Sequence, residues 1–202
     1  MPGTERGRGK QQPPPPITAD RLERAALHYL ERFSASAASL RRVLARRVER
    51  SARDHGSDAA EGTRWIEALI ERYQLSGLLD DAVYAEAKAG SLRRRGASTR
   101  AIREKLAARG VDGEIAAAAL ARADQDRGHP DGGDAADETA ARELARRRRL
   151  GPFRPAAARA EHRSRDLAAL GRAGFSYETA RRVIDADGEE DEAGFPSPRD
   201  PL

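Results

Sequence analysis

The sequence predicts an all-α chain, an elongated tandem array of three-helix repeats with about nine helices and disordered termini. Three observations carry this expectation. Apolar residues recur at helical spacing in nearly every segment and nowhere alternate with period two. No proline occurs between Pro16 and Pro130, and the intervening sequence is rich in Ala, Leu, Arg and Glu, all strong helix formers. The chain also repeats itself at shifts of 62 and 64 residues.

The elements follow in order. Residues 1–20 form a Pro-rich head in which Pro13 to Pro16 favour an extended, solvated backbone. The first repeat covers residues 21–75. Ala26, Leu27, Leu30 and Phe33 share a helical face, as do Leu40, Val43, Leu44 and Val48, and then Ile66, Leu69, Ile70 and Tyr73. Ser36 stands where an N-cap belongs. The second repeat, residues 78–123, opens on Asp80 and Asp81, suited to an N-cap and a first-turn carboxylate, before Val83, Tyr84 and Ala87. Ser98 caps its next helix, and Gly110 followed by Val111 ends that helix in a left-handed turn. Residues 124–137 read as an acidic flexible linker containing Gly128, Pro130, Gly132 and Gly133. In the third repeat, residues 138–186, Arg146 to Arg149 place cations at a helix C-terminus, and Pro152 and Pro155 bracket a break. Gly174, Phe175 and Ser176 then renew the turn and the cap. Residues 187–202 form an acidic tail, expected to be disordered.

The repeat is visible in side chains as well as in spacing. Ser36, Leu40, Arg41, Leu44 and Arg47 map onto Ser98, Ile102, Arg103, Leu106 and Arg109. Leu106, Gly110, Val111 and Glu114 map in turn onto Leu170, Gly174, Phe175 and Glu178. A three-helix repeat of this size buries little alone, so successive repeats complete one another.

Composition excludes several functions. The 202 residues contain no cysteine, which removes disulfides, thiolate metal sites and cysteine nucleophiles. His28, His55, His129 and His162 match no ligand spacing, so no metal is expected. No Gly-x-x-x-x-Gly-Lys phosphate loop and no nucleophile constellation occurs, so neither ATP hydrolysis nor any other enzymatic activity is expected, and no cofactor. No apolar run approaches a membrane span, and no apolar segment of signal-peptide type follows Met1. The expectation is a cytoplasmic monomer. Aromatics are 4% of the chain. Tyr29, Phe33, Trp65, Tyr73, Tyr84 and Phe175 fall on apolar faces and read as core, whereas Phe153 and Tyr177 are less clearly buried.

Charge is sorted along the chain. A net charge of +4 conceals 20 basic against 14 acidic residues in 21–123, then one against six in 124–138. Twelve against four follow in 139–184, and one against seven in 185–202. The candidate binding residues are the arginine clusters: Arg41, Arg42, Arg46 and Arg47; Arg93, Arg94 and Arg95; Arg103, Lys105 and Arg109; and Arg146, Arg147, Arg148 and Arg149. Arg presents a planar fork suited to phosphates and carboxylates. Against a partner surface stands a solvated helix face. Three-helix repeats also overlap the geometry of a helix-turn-helix regulator, but no helix carries a base-reading set of Asn, Gln and Arg. A nonspecific nucleic-acid-binding array is a further alternative.

Residues 26–47, ALHYLERFSASAASLRRVLARR, resemble the opening repeat of the RecX family, regulators of the RecA recombinase. Residues 78–111 are similar to its second repeat in the Leu-Asp-Asp start, the Tyr84-Ala85 pair and the Ile-Arg-x-x-Leu-x-x-x-Gly-Val ending. Residues 167–184 resemble the closing repeat, with Ala173 where the family usually has Arg before Gly-Phe. The first repeat carries an insertion around residues 54–62. The resemblance implies a protein that binds RecA and its filament on single-stranded DNA. It would limit filament growth, ATP hydrolysis and strand exchange in recombination, repair and the SOS response.

Overall fold

A computed structural model describes residues 15–186; most of the expected head and the whole acidic tail lie outside the described residues. Within them the chain is helical, with nine α-helices, one 3-10 turn and no strand. The helices are α1 (Ala19–Leu30), α2 (Ala37–His55), α3 (Ala59–Leu75), α4 (Asp81–Arg94), α5 (Thr99–Ala107), α6 (Gly113–Gln125), α7 (Gly133–Arg148), α8 (Ala156–Arg172) and α9 (Tyr177–Ile184). The chain divides into two compact units, Met1–Tyr84 and Ala85–Leu202.

In the N-terminal unit, Leu22 and Ala26 of α1 pack with Leu40, Leu44 and Val48 of α2 and with Ile66, Leu69, Ile70 and Tyr73 of α3. These are the residues whose spacing predicts α2 and α3. Gly62 sets the closeness of the α2–α3 hairpin, since a Cβ there would lie 2.5 Å from Val48 Cγ1. The segment read as an insertion adds length here: α2 and α3 have 19 and 17 residues, against 9 and 13 in α5 and α6. Ser36 caps α2 by accepting the Ser39 N–H at 3.2 Å. Asp80 caps α4 by accepting from Ala82 N and Val83 N at 2.8 and 3.1 Å. Asp81 reaches further, accepting the Ala37 N–H at the start of α2 at 2.7 Å.

Two expected faces are corrected. Helix α1 stops at Leu30, so the turn that follows takes Phe33 off the face it was assigned to, and Phe33 is 55% exposed. Leu27 also faces outward; Leu22 takes its place in the core. In α4, Val83 is 63% exposed, and the buried side is Tyr84, Ala85, Ala89 and Leu92. A face built on alanine gives little hydropathy contrast, so its register is hard to read.

In the C-terminal unit, α7, α8 and α9 bury Ala140, Ala141, Leu144, Leu170, Phe175, Ala180, Val183 and Ile184. Ile102, Leu106, Val111, Ala116, Ala119 and Leu120 are buried along α5 and α6. Ser98 and Ser176 cap α5 and α9. Gly110 and Gly174 are left-handed at φ 72° and 93°. Behind them Val111 N and Phe175 N donate to the Leu106 and Leu170 carbonyls at 3.1 and 3.3 Å, closing the predicted turns. Residues 124–137 differ from the expected flexible linker. They comprise the end of α6, a turn and the start of α7, because Asp124 and Asp137 are both drawn to a cation in α4.

Candidate partner-binding surface

That cation is Arg93. Its guanidinium is 1% exposed and donates to both Asp124 oxygens at 2.6 and 3.0 Å, to Asp137 at 2.7 Å, to the Ala97 carbonyl at 3.0 Å and to Thr99 Oγ1 at 2.9 Å. Asp137 also accepts the Thr99 N–H at 2.8 Å. Desolvation alone would favour deprotonation of Arg93, but Asp124 and Asp137 outweigh it and raise its pKa. Arg93 therefore leaves the predicted binding cluster and becomes an internal tie between α4, α5, α6 and α7.

Its neighbours face the other way. Arg94 and Arg95 are exposed at the C-terminal end of α4. Gly96, left-handed at φ 73°, lies so close to α7 that a Cβ would sit 2.7 Å from the Ala140 carbonyl oxygen. The turn consequently rests on α7, and Arg147 donates to the Arg95 carbonyl. Two sequence clusters thus become one basic edge where the C-terminal ends of α4 and α7 converge, with Arg94, Arg95, Arg147 and Arg148 all exposed. Helix C-termini favour cations through the backbone dipole, which lets like charges gather here. Arg146 lies 5.5 Å from the Phe153 ring, and Arg149 holds the left-handed cap of α7 at φ 53°. Among the described residues, no carboxylate is within ion-pairing distance of Arg94, Arg95, Arg147 or Arg148.

The other clusters are dispersed. Arg41 makes two 2.7 Å bonds to Glu67 of α3, which hold the Glu67 carboxyl below its ordinary range. Arg42, Arg46 and Arg47 are exposed. Helical spacing extends the Arg42–Arg46 row to Arg50 and Arg53, residues the cluster reading missed although the same spacing could have found them; Glu49 interrupts it. Arg103 and Lys105 are exposed but stand two residues apart on α5 and so point to different sides, and Arg109 lies in the turn beyond.

A second buried carboxylate was also missed. Asp166, 1% exposed, accepts the Gly151 N–H at 2.8 Å and a two-pronged Arg154 at 2.8 and 2.9 Å. Desolvation pushes its pKa up, but Arg154 and the Gly151 N–H overcome this and hold it below the usual value. Among the described residues, no group of three His, Asp or Glu side chains could hold a metal ion, and no helix is long and apolar enough to cross a membrane.

Comparison with known proteins bears on these surfaces. The model of the RecX second three-helix domain matches residues 80–120, the stretch from the α4 cap to α6. Regulatory protein RecX of Myxococcus xanthus is 45% identical over 187 residues, covering 92% of this chain and 95% of that one. Regulatory protein RecX of Thermobifida fusca is 36% identical, with coverage of 67% and 69%, and that of Agrobacterium fabrum is 29% identical, with 83% and 84%. No solved structure matches. The resemblance read from three sequence segments therefore extends along nearly the whole chain, and the chain belongs to the RecX family of regulatory proteins.

Proposed function

We propose that this chain is a non-enzymatic regulator that binds the RecA recombinase and its filament on single-stranded DNA. It acts in the cytoplasm as a monomer, without a cofactor, and inhibits filament growth, ATP hydrolysis and strand exchange during recombination, repair and the SOS response. It is organised as three-helix repeats over residues 21–75, 78–123 and 138–186. The observation that carries the site is the basic edge at the joined ends of α4 and α7, where Arg94, Arg95, Arg147 and Arg148 are exposed and have no carboxylate partner among the described residues. Such an edge suits phosphates or an acidic protein face by charge and by guanidinium geometry. Arg41, Arg42, Arg46 and Arg47 on α2, and Arg103, Lys105 and Arg109 around α5, are secondary contacts in this reading.

The test is the ATPase rate of the cognate recombinase on single-stranded DNA. Wild-type protein should depress it, and Arg94→Glu with Arg148→Glu should relieve the effect, mainly through slower association and altered salt sensitivity. A folded double variant that depresses the ATPase as fully as wild type would remove this edge as the site. Salt-sensitive DNA binding with no effect on the ATPase would instead favour a helical-repeat DNA-binding protein that acts without a recombinase.

A further inference from the structure

The N-terminal unit carries an open apolar groove of about 360 Å³ between the end of α1, the loop before α2 and the start of α4. Leu27, Phe33, Leu78 and Val83 line it and are 40%, 55%, 51% and 63% exposed. These four side chains account for most of the large apolar side chains exposed among the described residues. The charged side chains lining the groove are Glu31 and Asp80, so an apolar floor has an acidic rim. Exposed apolar patches rimmed by polar groups mark interaction sites.

We propose that this groove docks an amphipathic segment of a protein partner, with apolar side chains entering between Phe33 and Val83 and Lys or Arg flanking them beside Glu31 and Asp80. The proposal rests on the regulatory reading above and adds a contact with the recombinase protomer that needs no DNA. Charge decides between occupants. The acidic stretch 185–202 of this chain would be repelled by the rim. Residues 1–14 carry Arg6, Arg8 and Lys10 but only Met1 as a large apolar side chain, so they offer charge without an anchor. A second copy bound face to face would bring two acidic rims together. A small ligand would need convergent polar groups to orient it, whereas Asp80 spends Oδ1 on the N–H groups of its own helix and Glu31 faces solvent beside His28.

The experiment measures binding of the full chain to DNA-free cognate recombinase by fluorescence anisotropy, with single-stranded DNA affinity and ATPase suppression measured in parallel. Wild type should bind the protomer. Phe33→Ser with Val83→Ser, both surface changes, should weaken that binding at least tenfold and leave DNA affinity unchanged. Glu31→Lys should weaken it several-fold and remove part of its salt dependence. If wild type suppresses the ATPase but the groove variants bind protomer as tightly as wild type, or no protomer is bound, the groove assignment falls and the regulatory reading stands. If wild type neither binds protomer nor alters the ATPase, both fall.

Discussion

Arg93 stands in a run of three arginines, and nothing local separates it from Arg94 and Arg95. Its partners lie 31 and 44 residues further along, so only the folded chain reveals that one member of the run faces inward. Truncation would strand two carboxylates, one of them fully buried, and breaking such a pair costs about 3–5 kcal/mol. Arg93→Ala should therefore lower the urea midpoint sharply, whereas Arg94→Ala should leave it nearly unchanged. Asp166 supplies a pH signature. Its folded pKa lies below the ordinary value near about 4, so its contribution is full above that range and is lost as pH falls through the depressed value. Stability should thus decline below about pH 4, and Asp166→Asn should be less stable at neutral pH while losing less on acidification. Equal losses of stability on acidification, read from urea titrations of the two proteins at neutral and at low pH, would refute this account.

The elements were the most legible level. Ser36, Ser98 and Ser176 announce three helices because a hydroxyl before an apolar periodic run is a local signal, and all three cap as predicted. Faces were less legible where a helix ended early, as at Phe33, or buried mainly alanine, as in α4. The Ser98 cap also has a role no local pattern discloses: its Oγ donates to the Ala173 carbonyl at 2.8 Å, beside Gly174. A Cβ on Gly174 would lie 2.5 Å from that oxygen, at a φ that side chains rarely adopt. Gly174→Ala should cost at least about 1–2 kcal/mol from backbone conformation alone. Ser98→Ala should cost about 1 kcal/mol as a lost cap, and more for the stranded carbonyl. In a double-mutant cycle the two should be less than additive, because removing the hydroxyl relieves the clash. Strict additivity would mean that the two sites do not meet.

Across the whole molecule, charge is arranged in blocks that the sequence displays openly, but their effect depends on what folding joins. The Arg94–Arg95 and Arg147–Arg148 pairs look like separate clusters until Gly96 settles on α7. The Arg103–Lys105 pair looks like one cluster until helical geometry divides it. The stretch 185–202 carries seven acidic residues against one basic, and we predict that it competes with any polyanion for the basic edge. Removing residues 187–202 should tighten binding to single-stranded DNA. The gain should be largest at low ionic strength and fade as salt shortens the range of charge interactions. Anisotropy titrations at two salt concentrations decide it, and equal affinity of the two chains at low salt would show that the tail takes no part.

Asp81 accepts the first N–H of α2, and Asp137 accepts the first N–H of α5, so in each case a later helix finishes an earlier one. On the ribosome this imposes an order. Helix α2 can form when residue 55 has emerged, but its N-terminus is not complete until α4 begins to appear, and α5 waits in the same way for α7. A fragment cut at the end of α3 would carry the apolar cluster that α1, α2 and α3 share, apart from Leu79, and yet lack the carboxylate that completes α2. A fragment intended to fold alone should run past Asp81, and a duplicated three-helix segment inserted at that junction would arrive with the cap for its predecessor already in its opening turn.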